Sequence, residues 1–370
     1  MSSYDPFARG PLPVGVRTSI LEDGRRGRQL PVEFWYPASD AHRRQDLDPA
    51  TCDRFKQLPM APEQTQKAVR HAAPREEIFP FVLFSHGFGG TRMQTTHFCT
   101  HLASHGYVVA AMDHTGNTTA DLLEMAKTAG TSEPRDLAAE MRRFIEDRPA
   151  DAVFVIDQVL AGAFGDCADA DRIGMTGHSF GGWTTLATTA RDERIRAALP
   201  LAPAGGRGNP LTRGGADPLH ASLDLTWSKA VPTLYLVADF DTLLPLAGMH
   251  DLFERTRAPK QMVVLRDSDH FHFCDAVEQT HDLFKMIGPR MARGGPAGSD
   301  VTAMFDAMKR SDELCPGTDA YTYLRGLGVA HMDAHLKGEP RAAELLAGDI
   351  DALLAERGIA VETVRDAAPA

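Results

Sequence analysis

Residues Gly177–Gly182 read GHSFGG, a G-x-S-x-G motif between a short apolar run, Ile173–Met175, and a helix-forming run, Trp183–Ala190. A serine on a tight turn between a strand and a helix exposes its hydroxyl at the carboxyl edge of a sheet, and the flanking glycines remove Cβ atoms that would clash there. Ser179 is therefore the candidate nucleophile. The amide N–H of Phe180 opens the helix and is a candidate oxyanion donor. The alternative is a Gly/Ser-rich turn that precedes a helix by chance.

The composition bounds the class of protein. Of the 370 residues 43% are hydrophobic, which is enough for a sizeable core. No run approaches the roughly 20 apolar residues that span a bilayer, so we expect no stable membrane insertion. A formal net charge of −11 argues against nucleic-acid partners.

The termini and cysteines suggest a compartment. The N-terminus, MSSYDP, lacks the basic and apolar regions of a secretory signal, and five scattered cysteines without C-x-x-C spacing fit reduced thiols. We therefore expect a cytoplasmic protein with no metal and no cofactor. The sequence leaves the oligomeric state open.

A second glycine-rich turn, Ser85–Gly90 (SHGFGG), follows the apolar run Phe81–Phe84, which has the character of a strand buried in a parallel sheet. Chains with a nucleophile turn place the other oxyanion donor on such an HG-x-G turn, and we assign it to the amide of Phe88. A phosphate-binding loop would need G-K-[ST] or G-x-G-x-x-G, and neither pattern is present. A predicted helix and the apolar run Gly106–Asp113 complete a β-α-β unit.

The whole chain, residues 1–370, is expected to form one α/β domain with insertions. Leu30–Pro37 alternates and is rich in aromatic and β-branched residues, which predicts an antiparallel strand at the sheet's edge. Residues 38–78 are polar and predict a surface insertion, and residues 115–147 and 284–318 are candidate lid or cap segments. Arg148 is expected to begin a helix, because proline at position 149 is tolerated in a first turn. Three later helices are predicted over Asp300–Lys309, Tyr321–Leu336 and Leu345–Ala355.

An acid and a histidine follow the last two predicted strands. Pro232–Val237 leads into ADFDTLLP, and an acid after such a late strand is where the order Ser, Asp, His puts the orienting carboxylate. Asp241 is the preferred acid, since alternation along the turn should send Asp239 elsewhere. The last predicted strand, Gln261–Leu265, runs into RDSDHFHF.

His270 comes first on that loop and is the preferred general base, with His272 as the alternative. Phe88 and Phe180 flank the candidate site, as do Phe240 and Phe271, so the pocket is expected to be apolar. Phe240 and Phe271 are the candidate substrate-binding side chains.

These motifs resemble those of a known family. FSHGFGG (84–90), GHSFGG and SDH (268–270) look like the platelet-activating-factor acetylhydrolase and dienelactone-hydrolase-related family of α/β-hydrolases. VGVRTSILEDGRRGRQLPVEFWYPA and LRGLGVAHMDAHLKG also resemble bacterial members, so the resemblance covers most of the chain. It implies an α/β-hydrolase fold, with a mostly parallel sheet flanked by helices and inserted lid or cap segments. Dienelactone hydrolases use a cysteine nucleophile, so Ser179 argues against lactone ring opening.

The acid departs from the animal acetylhydrolases. Those enzymes carry it on the strand after the helix that follows the nucleophile turn, here called the elbow (residues 177–182). At that place this chain has LPL (199–201) and no acid. ADFDTLLP and ALPLAP are similar instead to bacterial cutinases and polyester hydrolases, whose acid lies one strand later. Those enzymes usually follow ALPLAP with a tryptophan, whereas this chain has Ala204, which favours small soluble esters over polyesters.

The motifs and the resemblance together predict a serine esterase acting on small or short-acyl esters through an acyl-enzyme. Ser179 is expected to attack the acyl carbonyl, His270 to move the proton, and Asp241 to orient the imidazole. A polyester hydrolase or an amidase using the same residues is one alternative. A non-catalytic hydrolase fold that binds a ligand is another.

Overall fold

The computed structural model describes residues 4–57, 62–128, 136–209, 217–293 and 298–366. The strands are β1 Val14–Asp23, β2 Arg28–Pro37, β3 Asp53–Phe55, β4 Gln64–Gln66, β5 Val69–Arg70, β6 Phe79–Ser85, β7 Val108–Met112, β8 Ala168–His178, β9 Ile195–Leu201, β10 Thr233–Ala238, β11 Lys260–Leu265 and β12 Val361–Arg365. The helices are α1 Thr96–Ser104, α2 Thr119–Thr128, α3 Leu137–Leu160, α4 Phe180–Thr189, α5 Pro218–Ala221, α6 Leu246–Arg255, α7 Val277–Arg293, α8 Gly298–Ala307, α9 Gly317–Met332, α10 Pro340–Ala347 and α11 Ile350–Ala355.

Ten of these strands form one sheet in the order β12-β11-β10-β9-β8-β6-β7-β2-β1-β5. The six central strands are mutually parallel; they are β11, β10, β9, β8, β6 and β7. β2 pairs antiparallel with both β7 and β1. The predicted α/β class with a mostly parallel sheet is confirmed, and the parallel strands bring their carboxyl ends to one edge.

Helices cover both faces of the sheet because the central strands are apolar on both sides. On β6, Phe81 and Leu83 pack with the α3 side, whereas Val82 and Phe84 pack with α1 and α9. The elbow helix α4 lies on the α3 side, where Trp183 joins a cluster with residues of α6.

Leu30–Pro37 forms an antiparallel strand as predicted, but the prediction that this strand lies at the edge of the sheet is wrong. β1 and β5 lie outside β2, and β12 lies outside β11, which was predicted to be the last strand. β12 pairs antiparallel with β11 and is half-exposed. Edge strands that contain both polar and apolar residues show only a weak alternation of hydrophobicity in the sequence, because one or both of their faces contact water.

The polar segment 38–78 packs on the sheet through β5 and the β3–β4 hairpin. The Trp35 indole donates to Gln66 Oε1 over 2.6 Å, and Gln66 Nε2 donates to Asp53 over 2.7 Å. Arg70 pairs with Asp53 at 2.6 Å and with Glu33 at 2.7 Å. The polar residues of segment 38–78 therefore form partly buried contacts as well as solvent-exposed surface.

Helix α3 begins at Leu137, so the predicted start at Arg148 is wrong. Asp136 caps it by accepting the amide of Ala139 over 2.9 Å. Pro149 consequently lies inside the helix, where it lacks an N–H to donate. The neighbouring Arg148 and Asp151 are fully buried and are hydrogen-bonded to side chains of other elements, Thr184 of α4 and Arg28 of β2.

The C-terminal helical predictions are confirmed in outline by α8, α9, α10 and α11. Gly338 has φ 65° and ends the π-helical turn that extends α9, as is common for a glycine directly after a helix. The candidate lid at 115–147 contains α2 and the first part of α3, while its residues 129–135 lie outside the described part. None of the described helices has the length and apolarity needed to cross a membrane.

Candidate active site

Ser179 lies between the end of β8 and the start of α4, with φ 59° and ψ −118°. A non-glycine residue rarely adopts a positive φ, so the turn stores local strain. The flanking glycines are sterically required: a Cβ on Gly181 would lie 1.8 Å from the carbonyl oxygen of Ser85, and one on Gly177 would lie 2.5 Å from that of Gly181. The half-exposed Ser179 side chain is thus presented at the carboxyl edge of the sheet.

The two candidate oxyanion amides flank this serine. The Phe88 loop lies against it, since a Cβ on Gly87 would be 3.3 Å from the Ser179 Cβ. Phe180 is the first residue of α4. Within the described ranges, no protein acceptor is found for the amide N–H of Phe88 or Phe180. Two backbone donors are therefore free to bind an oxygen atom beside Ser179.

His270 and Asp241 form a buried pair, with His270 Nδ1 2.8 Å from Asp241 Oδ2. The other carboxylate oxygen accepts the amides of Leu243 at 3.0 Å and Leu244 at 2.7 Å. Burial raises the pKa of the Asp241 carboxyl, and the neighbouring His270 opposes that shift. A carboxylate at Nδ1 keeps the proton on that nitrogen and leaves Nε2 as the acceptor.

The two alternative residues have other partners. Asp239 Oδ1 accepts the amide of Ser268 over 3.0 Å, so it caps the turn before the histidine loop. His272 Nε2 donates to the carbonyl of Cys315 over 3.0 Å, and its Nδ1 lies 3.0 Å from the amide of Asp269. The structure thus brings together Asp241 and His270, whereas Asp239 and His272 form hydrogen bonds with backbone groups of neighbouring loops.

Sequence reasoning did not identify Asp269, which joins the acid loop to the histidine loop. One carboxylate oxygen accepts the amides of Thr242 at 2.8 Å and His270 at 2.6 Å, and the other accepts the Thr242 hydroxyl at 2.6 Å. The only sequence signal is its position directly before His270. Its contacts hold the two loops that carry the His270–Asp241 pair.

Gln94 was also missed, because no motif marks it. Its Oε1 accepts the amide of Gly87 over 3.0 Å, and its Nε2 is 2.8 Å from His178 Nδ1. His178 Nε2 lies 2.9 Å from the carbonyl of His270 and donates to it. Burial holds the pKa of His178 well below its usual value, so the ring is neutral and this tautomer is consistent with both bonds. A chain of hydrogen bonds through Gln94 and His178 therefore connects the oxyanion loop, the elbow and the histidine loop.

A second set of serine, histidine and aspartate lies beneath the oxyanion loop. Ser85 Oγ is 2.9 Å from His114 Nε2, and His114 Nδ1 is 3.1 Å from Asp151 Oδ2. His86 Nε2 accepts the amide of His114 at 3.0 Å, and His86 Nδ1 donates to the Gly87 carbonyl at 2.7 Å. Burial lowers the pKa of both histidines, so the rings are neutral. Each neutral ring has one N–H donor and one nitrogen acceptor, and these hydrogen bonds hold the loop.

The candidate substrate-binding phenylalanines differ in environment. Phe240 is 44% exposed, with Lys309 Nζ 3.3 Å from its ring centroid. Phe271 packs on Phe284 of α7, with ring centroids 4.7 Å apart. Phe88 is 50% exposed. Phe88 and Phe240 therefore have exposed rings, and Phe271 contacts the first residue of the candidate cap.

No group of three or more metal-ligating side chains occurs among the residues that the structure describes. The site geometry is made of a serine, a histidine–aspartate pair and two backbone donors. These groups can carry out acyl transfer with the protein's own side chains.

Comparisons with known proteins agree with this architecture. The sequence model of "Platelet-activating factor acetylhydrolase, isoform II" matches residues 60–152. Cutinase est1 of Thermobifida alba is 27% identical over 54% of this chain and 56% of its own length. Cutinase 2 of Thermobifida cellulosilytica is 30% identical over 47% of this chain and 52% of its own. Platelet-activating factor acetylhydrolase of Cavia porcellus is 23% identical over 61% of this chain and 54% of its own.

The chain thus spans about half the length of the curated relatives it matches. A solved structure, the ferulic acid esterase from Streptomyces cinnamoneus, superposes with a TM-score of 0.60 at 24% identity. This similarity covers 89% of this chain and 91% of the esterase. The resemblance inferred from the motifs is confirmed: the protein has the α/β-hydrolase fold and is similar to platelet-activating factor acetylhydrolases and to bacterial cutinases.

Proposed function

We propose that the protein is a serine hydrolase of carboxylic esters. The observation that carries the proposal is the buried His270–Asp241 pair, joined at 2.8 Å, on loops tied to the strained turn of Ser179. Cutinases and acetylhydrolases among its relatives are ester hydrolases by name, which supports the same reaction class.

In the proposed reaction, His270 takes the proton of Ser179 as the serine oxygen attacks the acyl carbonyl. Asp241 holds the Nδ1 proton and stabilises the imidazolium that forms. The amides of Phe88 and Phe180 bind the oxyanion, and one such donor typically lowers the barrier by about 2.7–4 kcal/mol. His270 returns the proton to the leaving alcohol, and water then cleaves the acyl-enzyme.

We propose small or short-acyl esters as substrates, with Phe240 and Phe271 as candidate contacts to the acyl or aromatic group. Phe88 on the candidate oxyanion loop and Phe240 directly before Asp241 both have exposed rings. Phe271, next to His270, contacts Phe284, the first residue of the candidate cap, which supports a bounded pocket.

A fluorophosphonate probe and a series of esters test this function. Labelling should be confined to Ser179, because its half-exposed side chain lies beside the candidate oxyanion amides of Phe88 and Phe180. p-Nitrophenyl acetate and butyrate should be hydrolysed faster than emulsified long-chain triglyceride. An unlabelled, inactive protein would favour the non-catalytic ligand-binding alternative, and faster lipid hydrolysis would indicate a lipase.

Polyester hydrolysis is a second candidate, favoured by the similarity to cutinases. Ala204 is 4% exposed and small, so it offers no aromatic platform where the cutinases usually carry a tryptophan. We therefore expect release of product from a polyester film to be slow relative to p-nitrophenyl butyrate. The opposite order would assign the chain to polyester hydrolysis.

We also propose that the chain forms one domain and acts in the cytoplasm. Strands from both ends of the described chain, β1 and β12, belong to the same sheet, which supports a single domain. The five cysteines are free thiols, as is usual in a reducing compartment. One cooperative unfolding transition and thiol titration of protein isolated without reductant would test these two points.

A further inference from the structure

Arg148 is a fully buried cation on α3. Its Nε donates to Thr184 Oγ1 over 2.9 Å and its Nη1 to Asn117 Oδ1 over 2.5 Å. Its Nη2 donates to Ser85 Oγ over 3.2 Å and to the carbonyl oxygen of His86. All of these acceptors are neutral, and within the described ranges no carboxylate is ion-paired with Arg148.

Such a group is expensive to keep, because burying a charge without a counter-ion costs several kcal/mol. Burial lowers the pKa of Arg148 to about 9, and the charge of Asp151 opposes the shift. Asp151 itself is engaged by Arg26 at 2.8 Å and Arg28 at 2.7 Å. The guanidinium thus remains charged at neutral pH, while Asp151 is already paired with two other arginines.

The contacts of Arg148 converge on both candidate oxyanion donors. The His86 carbonyl begins the loop that carries Phe88. The guanidinium carbon lies 4.4 Å from the ring centroid of Phe180. Thr184, which accepts from Arg148, also donates its hydroxyl to the Phe180 carbonyl over 2.8 Å. One side chain therefore connects the loop of the first donor to the helix turn of the second.

We propose that Arg148 is a positioning residue of the oxyanion hole, an inference that rests on the proposed esterase function. Its fork of donors fixes the separation between the Phe88 loop and the first turn of α4. Its charge also stabilises the negative oxygen that the two amides bind, in an interior where such fields are weakly screened. Arg148 acts through these groups and does not touch the substrate.

The proposal predicts a specific kinetic signature. The oxyanion forms only in the tetrahedral state, so losing Arg148 should lower kcat and leave KM nearly unchanged. A residue that served the fold alone would lower stability without this selective effect. Lysine would keep the charge but not the planar fork that reaches several acceptors at once.

The test compares Arg148→Met with Arg70→Met, an arginine whose partners Asp53 and Glu33 lie near the outer edge of the sheet. With p-nitrophenyl butyrate, Arg148→Met should lose about 10–10²-fold in kcat with KM within about threefold of wild type. A trifluoromethyl ketone, which forms an anionic tetrahedral adduct with a nucleophilic serine, should bind more weakly by a similar factor. Arg70→Met should lose stability but keep kcat and inhibitor affinity within about twofold.

Two further variants decide the matter if Arg148→Met does not fold. Arg148→Lys should recover part of kcat, and Thr184→Val, which removes one acceptor, should lower kcat a few-fold at constant KM. The inference is overturned if the folded Arg148 and Thr184 variants match Arg70→Met in kcat and inhibitor affinity, or if only KM changes. A wild-type protein that neither hydrolyses esters nor reacts with fluorophosphonate would overturn the proposed function, and this inference with it.

Discussion

Two sets of serine, histidine and aspartate lie within one molecule, and only one has the features of a nucleophilic site. In the elbow set, the His270 ring is 2.8 Å from Asp241. In the inner set, His114 is 3.1 Å from Asp151 and 2.9 Å from Ser85. Residue type and imidazole–carboxylate pairing are therefore shared by the two sets.

The sets differ in access and in backbone geometry. Ser85 is fully buried at the end of β6, where its oxygen accepts from Arg148 and its hydroxyl is positioned to donate to His114. Ser179 is half-exposed on a turn with φ 59°, between two amides that have no protein acceptor in the part of the chain that the structure describes. Access to substrate and free oxyanion donors distinguish a candidate nucleophile from a structural hydroxyl.

The largest expected difference between the sets is in serine removal. Ser179→Ala should lower hydrolysis of p-nitrophenyl butyrate by about 10⁴-fold or more, because the attacking oxygen is lost. Ser85→Ala should cost less than about tenfold, since it removes only support for the oxyanion loop. Circular dichroism should show that both variants are folded. Comparable losses in the two variants, or a folded Ser179→Ala with normal turnover, would refute the distinction.

The acids provide the next comparison. Asp241→Asn should lower kcat by around 10⁴, the size given by the equivalent change in a serine protease, because the imidazole then favours the wrong tautomer. Asp239→Asn should stay within about tenfold, since its carboxylate caps a turn through the amide of Ser268. Steady-state kinetics on both variants measure this. Exchanged phenotypes would make Asp239 the acid, and two active variants would place the acid on another strand.

The smallest expected effect on turnover, and the largest on stability, is at Asp151. Asp151→Asn removes the buried carboxylate that Arg26 and Arg28 share. Arg26 keeps Asp23 and Arg28 keeps Asp147, so the free energy of unfolding should fall by about 1–3 kcal/mol. Asp241→Asn should change the free energy of unfolding much less, because Asp241 pairs with a histidine and no permanent cation. Urea denaturation of the two variants measures the difference. Equal stability losses would contradict the division between a catalytic and a structural acid.

Sequence reasoning was most successful where a structure depends on residues close together in the chain. The turn at Ser179 needs glycine on both sides, because a Cβ on Gly181 would lie 1.8 Å from the Ser85 carbonyl oxygen and one on Gly177 would lie 2.5 Å from the Gly181 carbonyl oxygen. Buried parallel strands are continuous apolar runs, so β6 and β10 could be located before the fold was known. Mixed polar strands such as β1 and β12 lacked that signal, and the start of α3 was hidden by Pro149.

By itself, the sequence determined the α/β class, the elbow and the HG-x-G loop, because each is encoded in a local pattern. It narrowed the candidate acid to Asp241 or Asp239 and the candidate base to His270 or His272. Only the tertiary structure revealed the supporting network. Arg148 and Ser85 are brought together by the packing of α3 on β6, and Gln94 meets His178 across the sheet edge. Hydrogen bonds between residues far apart in the chain leave no local periodicity, so their partners are decided by the fold.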